Sequence, residues 1–445
     1  MKTFLFVVCL IPIFFYTDIL FAESVDDELR KEIEGLKKDV RRLVDAQKEH
    51  ITKTHQLGEE ISGFKEHILH RVGDILLTGG ITSILQGTTD IDEEEIFDYS
   101  YTLDINIEAD VSENGKVVVA LESGNGSGLN DNLSSISIVN YDPFITETST
   151  GQNAFATISV SQAFYEGSYY NERLIVSVGK LDVHQFTDDN AFANDETDQF
   201  ITGLFARSQG TIFAELDSYY APGIVVVASP AEWVNLMVVA ANGNGSGFED
   251  LFDNGYGSAQ ITLKTSLMDK AGNYSFYGIF DHRNYTDINN PDNIKENVGY
   301  GLSVDQELTN DLGIFARIGM QDDGIISSDI YKNTEESKYI VESTYSFGMQ
   351  LTGERWGRTN DVFGIGYGSV NLNKKGTKKL QGISLTVPDK AIANPDDETH
   401  LEVYYKVTFS EHFTMSPDFQ IVTNMGGDSN ADRVKIYGIR TQLNF

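Results

Sequence analysis

The stretch Val434-Lys-Ile-Tyr-Gly-Ile-Arg-Thr-Gln-Leu-Asn-Phe445 decides how the rest of the chain is read. From Tyr437 onward Tyr437, Ile439, Leu443 and Phe445 are apolar, and Arg440, Gln442 and Asn444 between them are polar, with Thr441 the one break. Val434, Lys435 and Ile436 run out of phase. A period of two makes a strand with one greasy and one wet face. Such a strand fits a soluble sandwich and a membrane barrel alike, so its neighbours must choose.

In His400–Ser410, Leu401, Val403, Tyr405, Val407 and Phe409 share one face, and Glu402, Tyr404, Lys406 and Thr408 share the other. Tyr101–Val111 is cleaner, with Thr102, Asp104, Asn106, Glu108 and Asp110 all on one side. Ionic side chains are expensive to bury in a dry core. A closed cylinder with water inside and lipid outside accommodates them. Comparable segments lie at Leu77–Gln86, Lys116–Glu122, Phe155–Glu166, Arg173–Asp182, Thr211–Asp217, Ile224–Ala228, Trp233–Ala241, Gln260–Leu267, Tyr274–His282, Val298–Leu308, Gly313–Gln321, Tyr339–Thr352, Asp361–Asn371 and Phe413–Thr423. Membrane barrels usually have an even strand count, so the expectation is an all-β transmembrane barrel of about 16 antiparallel strands. A closing aromatic such as Phe445 resembles the signal by which outer-membrane barrels are recognised for assembly.

Composition agrees. No stretch beyond the N-terminus approaches the roughly 20 apolar residues of a spanning helix, so a membrane crossing must use strands. Residues 1–22 read as a secretory signal: Met1-Lys2, an apolar run from Phe4 to Phe15, and Ala22 at the cleavage point. The only cysteine, Cys9, lies inside it, so the mature chain can form no disulfide. The net charge is -34, from 33 basic and 67 acidic residues, which argues against a nucleic-acid partner. The acidic runs Asp90–Asp98, Asp188–Asp198, Asp322-Asp323 and Asp396–Glu398 read as solvated loop surface. Divalent-cation binding at an anionic lipid surface is the sharper alternative, but no EF-hand-like loop is present. Aromatic residues (21 Tyr, 26 Phe, 2 Trp) at many strand ends suit interfacial girdles.

From Asp27 to about Arg71 the period becomes seven. Ile33, Val40, Gln47, Thr54, Ile61 and Ile68 take a positions, and Leu29, Leu36, Leu43, His50, Leu57 and Phe64 take d positions. This predicts a parallel coiled coil, best as a trimer whose polar middle layer fixes register. It would be about 65 Å long and hang into the periplasm; a lone amphipathic helix on the barrel is the competing reading. The expected organisation is thus 1–22 signal, 23–72 coiled coil and 73–445 barrel. His50, His55, His67 and His70 lie on this segment, but only His67 and His70 have helical ligand spacing, so no metal site is expected. The echoing runs Leu121–Leu129 and Ala240–Phe248 read as glycine-rich strand-end turns, since no helix follows to cradle phosphate.

Several motifs in order resemble the carbohydrate-selective outer-membrane porins, the OprB-like family: Val178-Gly-Lys-Leu-Asp182 with Asp189-Asn190, Phe192-Ala-Asn194 and Gln199-Phe200; Arg355-Trp356-Gly-Arg358 with Asp361; Glu402-Val-Tyr404-Tyr405; and Ser416-Pro-Asp418-Phe-Gln420. The resemblance covers roughly residues 75 to 445 and implies a sixteen-stranded barrel passing small sugars by facilitated diffusion. The coiled coil stands outside the family pattern, where a peptidoglycan tether is the natural guess. Strand alternation turns Asp104, Glu108, Tyr277, Asp281, Arg283, Arg317, Glu402, Lys406 and Arg440 inward, and Arg358 joins them as a candidate pore-lining residue. Opposed arginines and carboxylates across a constriction are expected, with Ser123–Gln152 folding inward to make it. Weak contacts with hydroxyls and C–H faces require no catalysis and no cofactor. The expected partners are small sugars or other small solutes, outer-membrane lipid, and copies of the same chain in a homotrimer. A cation or metal-ion pore, favoured by the acidic balance, is the alternative in the same class. An anion pore is disfavoured because the lysines form no inward ladder. A barrel-anchored tether is another class, and an enzyme in a barrel lacks a local Ser/His signature.

Overall fold

The computed structural model describes residues 70–72, 75–91, 94–142, 158–183, 185–208, 220–243, 254–328, 332, 339–384 and 392–445. The expected signal segment, almost all of the coiled coil, and the strand candidate Thr211–Asp217 lie outside these residues. One correction falls at the boundary. His70–Val72, expected at the end of the helix, form a short strand β1, whose Val72 pairs with Ile75 in an antiparallel hairpin.

The long strands follow the predicted segments one for one. They are β2 (Ile75–Ile91), β3 (Glu94–Ser112), β4 (Gly115–Asn125), β5 (Ser159–Tyr169), β6 (Leu174–Asp182) and β7 (Tyr220–Ala231). Next come β8 (Val234–Asn242), β9 (Gly255–Leu267), β10 (Lys270–Asp287), β11 (Asn290–Glu307) and β12 (Leu312–Gln321). After a short β13 (Ile325–Ser327) follow β14 (Val341–Gly353), β15 (Arg358–Leu372), β16 (Glu398–Ser410), β17 (Phe413–Thr423) and β18 (Val434–Asn444). Apart from β1 and β13, each strand pairs antiparallel with its sequence neighbours, and β18 returns to β2, closing a 16-strand barrel. Closure removes every long unpaired edge, which is what lets strands sit in lipid. The seam runs from Ile436↔Thr88 to Asn444↔Gly80, and Phe445 continues it by donating to Gly79 O at 2.9 Å. Gly79 is glycine for space: a Cβ there would meet the Phe445 ring at 2.5 Å. Among the described residues no helix is long and apolar enough to cross a membrane.

Alternation along β18 is as the sequence predicts. Tyr437, Ile439 and Leu443 are 52%, 46% and 45% exposed on the outside, whereas Arg440 and Gln442 are 1% and 7% exposed inside. Residues 113–114, 170–173, 232–233, 268–269, 308–311, 354–357 and 411–412 make short turns at the end where β2 begins and β18 finishes. The opposite end carries the long connections 126–158, 183–219, 322–340 and 373–397. In outer-membrane barrels the short turns face the periplasm and the long loops face outward.

The interior departs from expectation. A cylinder filled only with water predicts wet inward faces throughout, yet apolar residues of β6 to β10, among them Leu181, Val225, Met237, Val239, Tyr256, Tyr277 and Ile279, pack together with Val183 and Phe186 of the following loop. A second correction concerns the acidic run 188–198. It is not a solvated surface loop: it folds into the lumen, and Asp188 is fully buried there. The reason is a guanidinium on the wall, that of Arg317 on β12, which pairs with the Asp188 carboxylate.

Candidate functional site

Two loops enter the barrel. The described part of the first, residues 126–142, leaves β4 through Gly126 and Gly128, whose φ of 80° and 58° suit glycine. This is the inward segment expected from the sequence; its remainder, from Pro143, lies outside the described residues. The second, residues 183–208, was not expected to enter. It spans much of the interior: Asp188 N donates to Gln260 of β9 at 2.9 Å, Asn190 Nδ2 to Ser303 of β11 at 3.2 Å, and Ile201 N to Glu402 of β16 at 2.6 Å. The loops also join each other. Tyr141 N donates to Ile201 O at 3.0 Å, Gly203 N to Ile138 O at 3.0 Å, and Leu204 N to Ser137 O at 3.1 Å.

Three cationic side chains pin the second loop. Arg317 of β12 pairs with Asp188 (Nε to Oδ1, 3.2 Å) and donates to the carbonyls of Ala193 and Phe205, the latter at 2.5 Å. Arg440 of β18 donates to the carbonyls of Glu196 and Gln199, both at 2.7 Å. Lys406 of β16 reaches Asp198 at 2.6 Å. Burial pushes the Asp188 carboxyl up from its ordinary value while the Arg317 charge pulls it down.

On β16, Glu398, His400 and Glu402 project inward at alternate positions. Glu398 accepts from Ile136 N (3.0 Å), Ser137 N (2.7 Å), Ser137 Oγ (2.6 Å) and Ser135 Oγ (2.8 Å) of the first loop, and from Gly426 N (2.7 Å). Glu402 takes the second loop through Ile201 N and Thr202 N (3.0 Å). His400 stands between, 2.7 Å from Ser137 Oγ and 3.2 Å from Thr202 Oγ1. Between loop and wall lie Phe200 and Phe205 against Phe315 and Tyr404, with ring centroids 4.9–6.3 Å apart. Room for them comes from Gly364-Ile-Gly366-Tyr-Gly368 of β15, whose glycines face inward: a Cβ at Gly366 would meet the Phe205 ring at 2.9 Å.

The opposite wall is open. On β3, Asn106 and Asp110 are exposed toward the lumen and Asp104 and Glu108 partly so. Lys116 of β4 lies 3.0 Å from Glu108 and 3.4 Å from Glu166. Carboxylates gather where this wall faces the loops. Buried Asp142 accepts from Thr102 Oγ1 at 2.8 Å, and its pKa is pushed up to about 7, chiefly by burial and then by the charges of Asp104 and Asp195, with Arg440 opposing. Glu122 accepts from the Tyr220 hydroxyl.

Of the residues singled out in the sequence, Asp104, Glu108, Glu402, Lys406, Arg317 and Arg440 thus face the lumen, three of them, Arg317, Glu402 and Arg440, sealed beneath the loops. Asp281 and Arg283 form an inward ion pair at 2.5 Å, joined by the Tyr285 hydroxyl at 2.8 Å. Tyr277 is buried in the apolar cluster. Arg358 stands apart at the short-turn end, paired with Asp361 beside Tyr405. Sequence reasoning missed His400 and Asp142, and it placed Glu398 in a solvated acidic run, whereas the first loop covers that side chain completely. Among the described residues no group of three or more His, Cys, Asp or Glu side chains is arranged to hold a metal.

The carbohydrate-selective porin family, OprB family, matches residues 89–445. The chain belongs to that family. It is a channel family and not an enzyme family, consistent with a water-filled route for small solutes. The high-pH structure of Pseudomonas putida OprB is 18% identical, with a TM-score of 0.70 over 84% of this chain and 94% of that one. The low-pH structure of the same protein gives 13% identity and a TM-score of 0.51 over 84% and 93%. The outer membrane channel DcaP of Acinetobacter baumannii gives 12% and 0.50 over 83% and 97%. At these identities the likenesses speak for the fold. No curated protein sequence matches the chain. An OprB-family porin with this fold fits a Gram-negative outer membrane.

Proposed function

We propose that sugars cross through the space left between the open wall of β3–β5 and the docked edge of loop 183–208. The observation that carries this is the pair of loops fixed inside the ring: they narrow the bore and leave hydrogen-bonding groups around it. Asp104, Glu122 and Asp195 line the passage and exchange hydrogen bonds with passing hydroxyls. Asp104 and Glu108 act directly on solutes, while Arg317, Glu402, Lys406 and Arg440 act by holding the loops that set the bore. Asp281, Arg283 and Tyr277 shape the wall further along, and Arg358 steadies its rim. Weak, repeated contacts of this kind suit flux better than tight binding.

The gathering of Asp104, Asp142, Asp195 and Glu196 favours a second reading, a cation-selective pore, because a negative constriction concentrates cations. In planar bilayers glucose or a maltodextrin should lower the current through the purified protein. Current indifferent to every sugar tried but strongly cation-selective would replace the first reading by the second. The homotrimer, the contact with outer-membrane lipid, and a peptidoglycan tether through residues 23–72 are part of the same proposal. Removing residues 23–71 should leave conductance intact and loosen oligomers or wall attachment.

A further inference from the structure

In a chain of net charge -34, the loop between β15 and β16 contains Lys374-Lys-Gly-Thr-Lys-Lys379, four cations in six residues. It folds as a helix, Lys374–Ser384, at the long-loop end of the barrel. Asn373 caps it, its Oδ1 accepting from Gly376 N at 2.8 Å. The face made by Gly376, Thr377, Leu380 and Gln381 is buried. Leu380 packs with Ile288, Ile326 and Ile340, and Thr377 Oγ1 accepts from Ile340 N at 3.1 Å. The helix is therefore held firmly in one rotation about its axis.

That rotation leaves Lys374, Lys375, Lys378, Lys379 and Ile383 exposed, Ile383 at 49%. Lys374 pairs with Asp396 at 2.5 Å, and Lys379 donates to Asn289 at 2.9 Å. Lys375 and Lys378 have no such partner among the described residues. Their placement works against the helix. Lysines in a first turn oppose the helix dipole, and like charges three and four residues apart repel. At Lys375 and Lys378 the rule is broken with no compensation among the described residues, and the geometry leaves both ammonium groups free for a group outside the chain. That group must be anionic. Ile383 lies on the same exposed stripe as Lys375 and Lys379, at four-residue spacing, so an anion that also carries an apolar part meets both kinds of group, which a small free anion does not.

We propose that this face binds a phosphate-bearing lipid headgroup of the outer leaflet, with the ammonium groups of Lys375 and Lys378 on phosphate and Ile383 at the acyl boundary. Cationic and apolar groups side by side on one helix are the chemistry of the membrane interface. The inference rests on the outer-membrane placement proposed above. The full chain in detergent is therefore first checked for conductance, so that failure of the channel reading is scored separately. Native mass spectrometry then follows binding of diphosphoryl lipid A, fully dephosphorylated lipid A and inorganic phosphate. The phosphorylated lipid should be retained roughly tenfold better than the dephosphorylated one. Lys375→Gln with Lys378→Gln should remove roughly that advantage, with conductance unchanged, and Ile383→Ser should weaken retention of the lipid. Equal retention of the two lipids, or retention indifferent to both lysines, overturns the proposal. So does inorganic phosphate displacing the lipid at matched phosphate concentration, which would assign the lysines to a free anion.

Discussion

The inner faces of β3, β4 and β5 are wet, whereas those of β12, β15 and β16 are sealed. Both carry charged residues on their inner faces, and both are built by the same period of two. They differ in what comes to meet them. Opposite Glu108, Lys116 and Glu166, which are each about one-third exposed, there is solvent. Opposite Arg317 and Glu402, which are almost inaccessible, there are backbone groups of a loop. An inward charge in a barrel thus has two fates: it conditions the water in the passage, or it fastens the device that narrows it.

The contrast can be broken most sharply at Arg317. Arg317→Ala strands Asp188 and frees the Ala193 and Phe205 carbonyls, and losing one partner of a buried pair costs about 3–5 kcal/mol. A lower melting temperature and a severalfold larger conductance should follow; an unchanged bore would mean that loop 183–208 does not set it. Glu398→Gln should have the next largest effect, about 1.5–3 kcal/mol, because hydrogen bonds to a charged acceptor are lost from the first loop. Faster cleavage of loop 126–158 by added protease would register it.

Acidity sharpens the comparison from the loop side. The folded pKa of Asp142, about 7, lies above its ordinary value of 3.8. Its contribution to stability is therefore complete below the ordinary value, declines with rising pH, and is lost as pH passes about 7. Melting temperature should fall between about pH 4 and 7, and Asp142→Asn should flatten that fall. The smallest effect belongs to the wet wall. Lys116→Met should alter stability by under about 1 kcal/mol, yet shift the reversal potential toward cations by leaving Glu108 and Glu166 unopposed. A large loss of stability there would erase the distinction between the walls.

The ring itself was legible in the sequence because lipid imposes one rule on every strand. Apolar residues must point out at every second position, and Leu401 to Phe409 or Tyr437 to Leu443 announce this without reference to anything distant. The interior was legible only in direction. Glu402, Arg317 and Arg440 could be turned inward by counting, but their partners lie far off in the chain: Glu398 grips Ser137 across 261 residues. A loop such as 183–208, acidic and without period, looks like any solvated connection. One signal was present and went unread: Gly364, Gly366 and Gly368 bare an inward strip of β15 on which rings must rest. The lysine helix at 374–384 was hidden for a different reason, being a single short element among strands.

Arg440 sits on β18, and the carbonyls it holds belong to Glu196 and Gln199, residues made long before it. That hold exists only once β18 has been laid beside β17 and β2, whereas the grips of Arg317 on β12 and Glu402 on β16 do not depend on it. One strand thus serves two ends: it joins the ring to its own beginning, and it adds the last of the grips on the loop that sets the calibre of the hole.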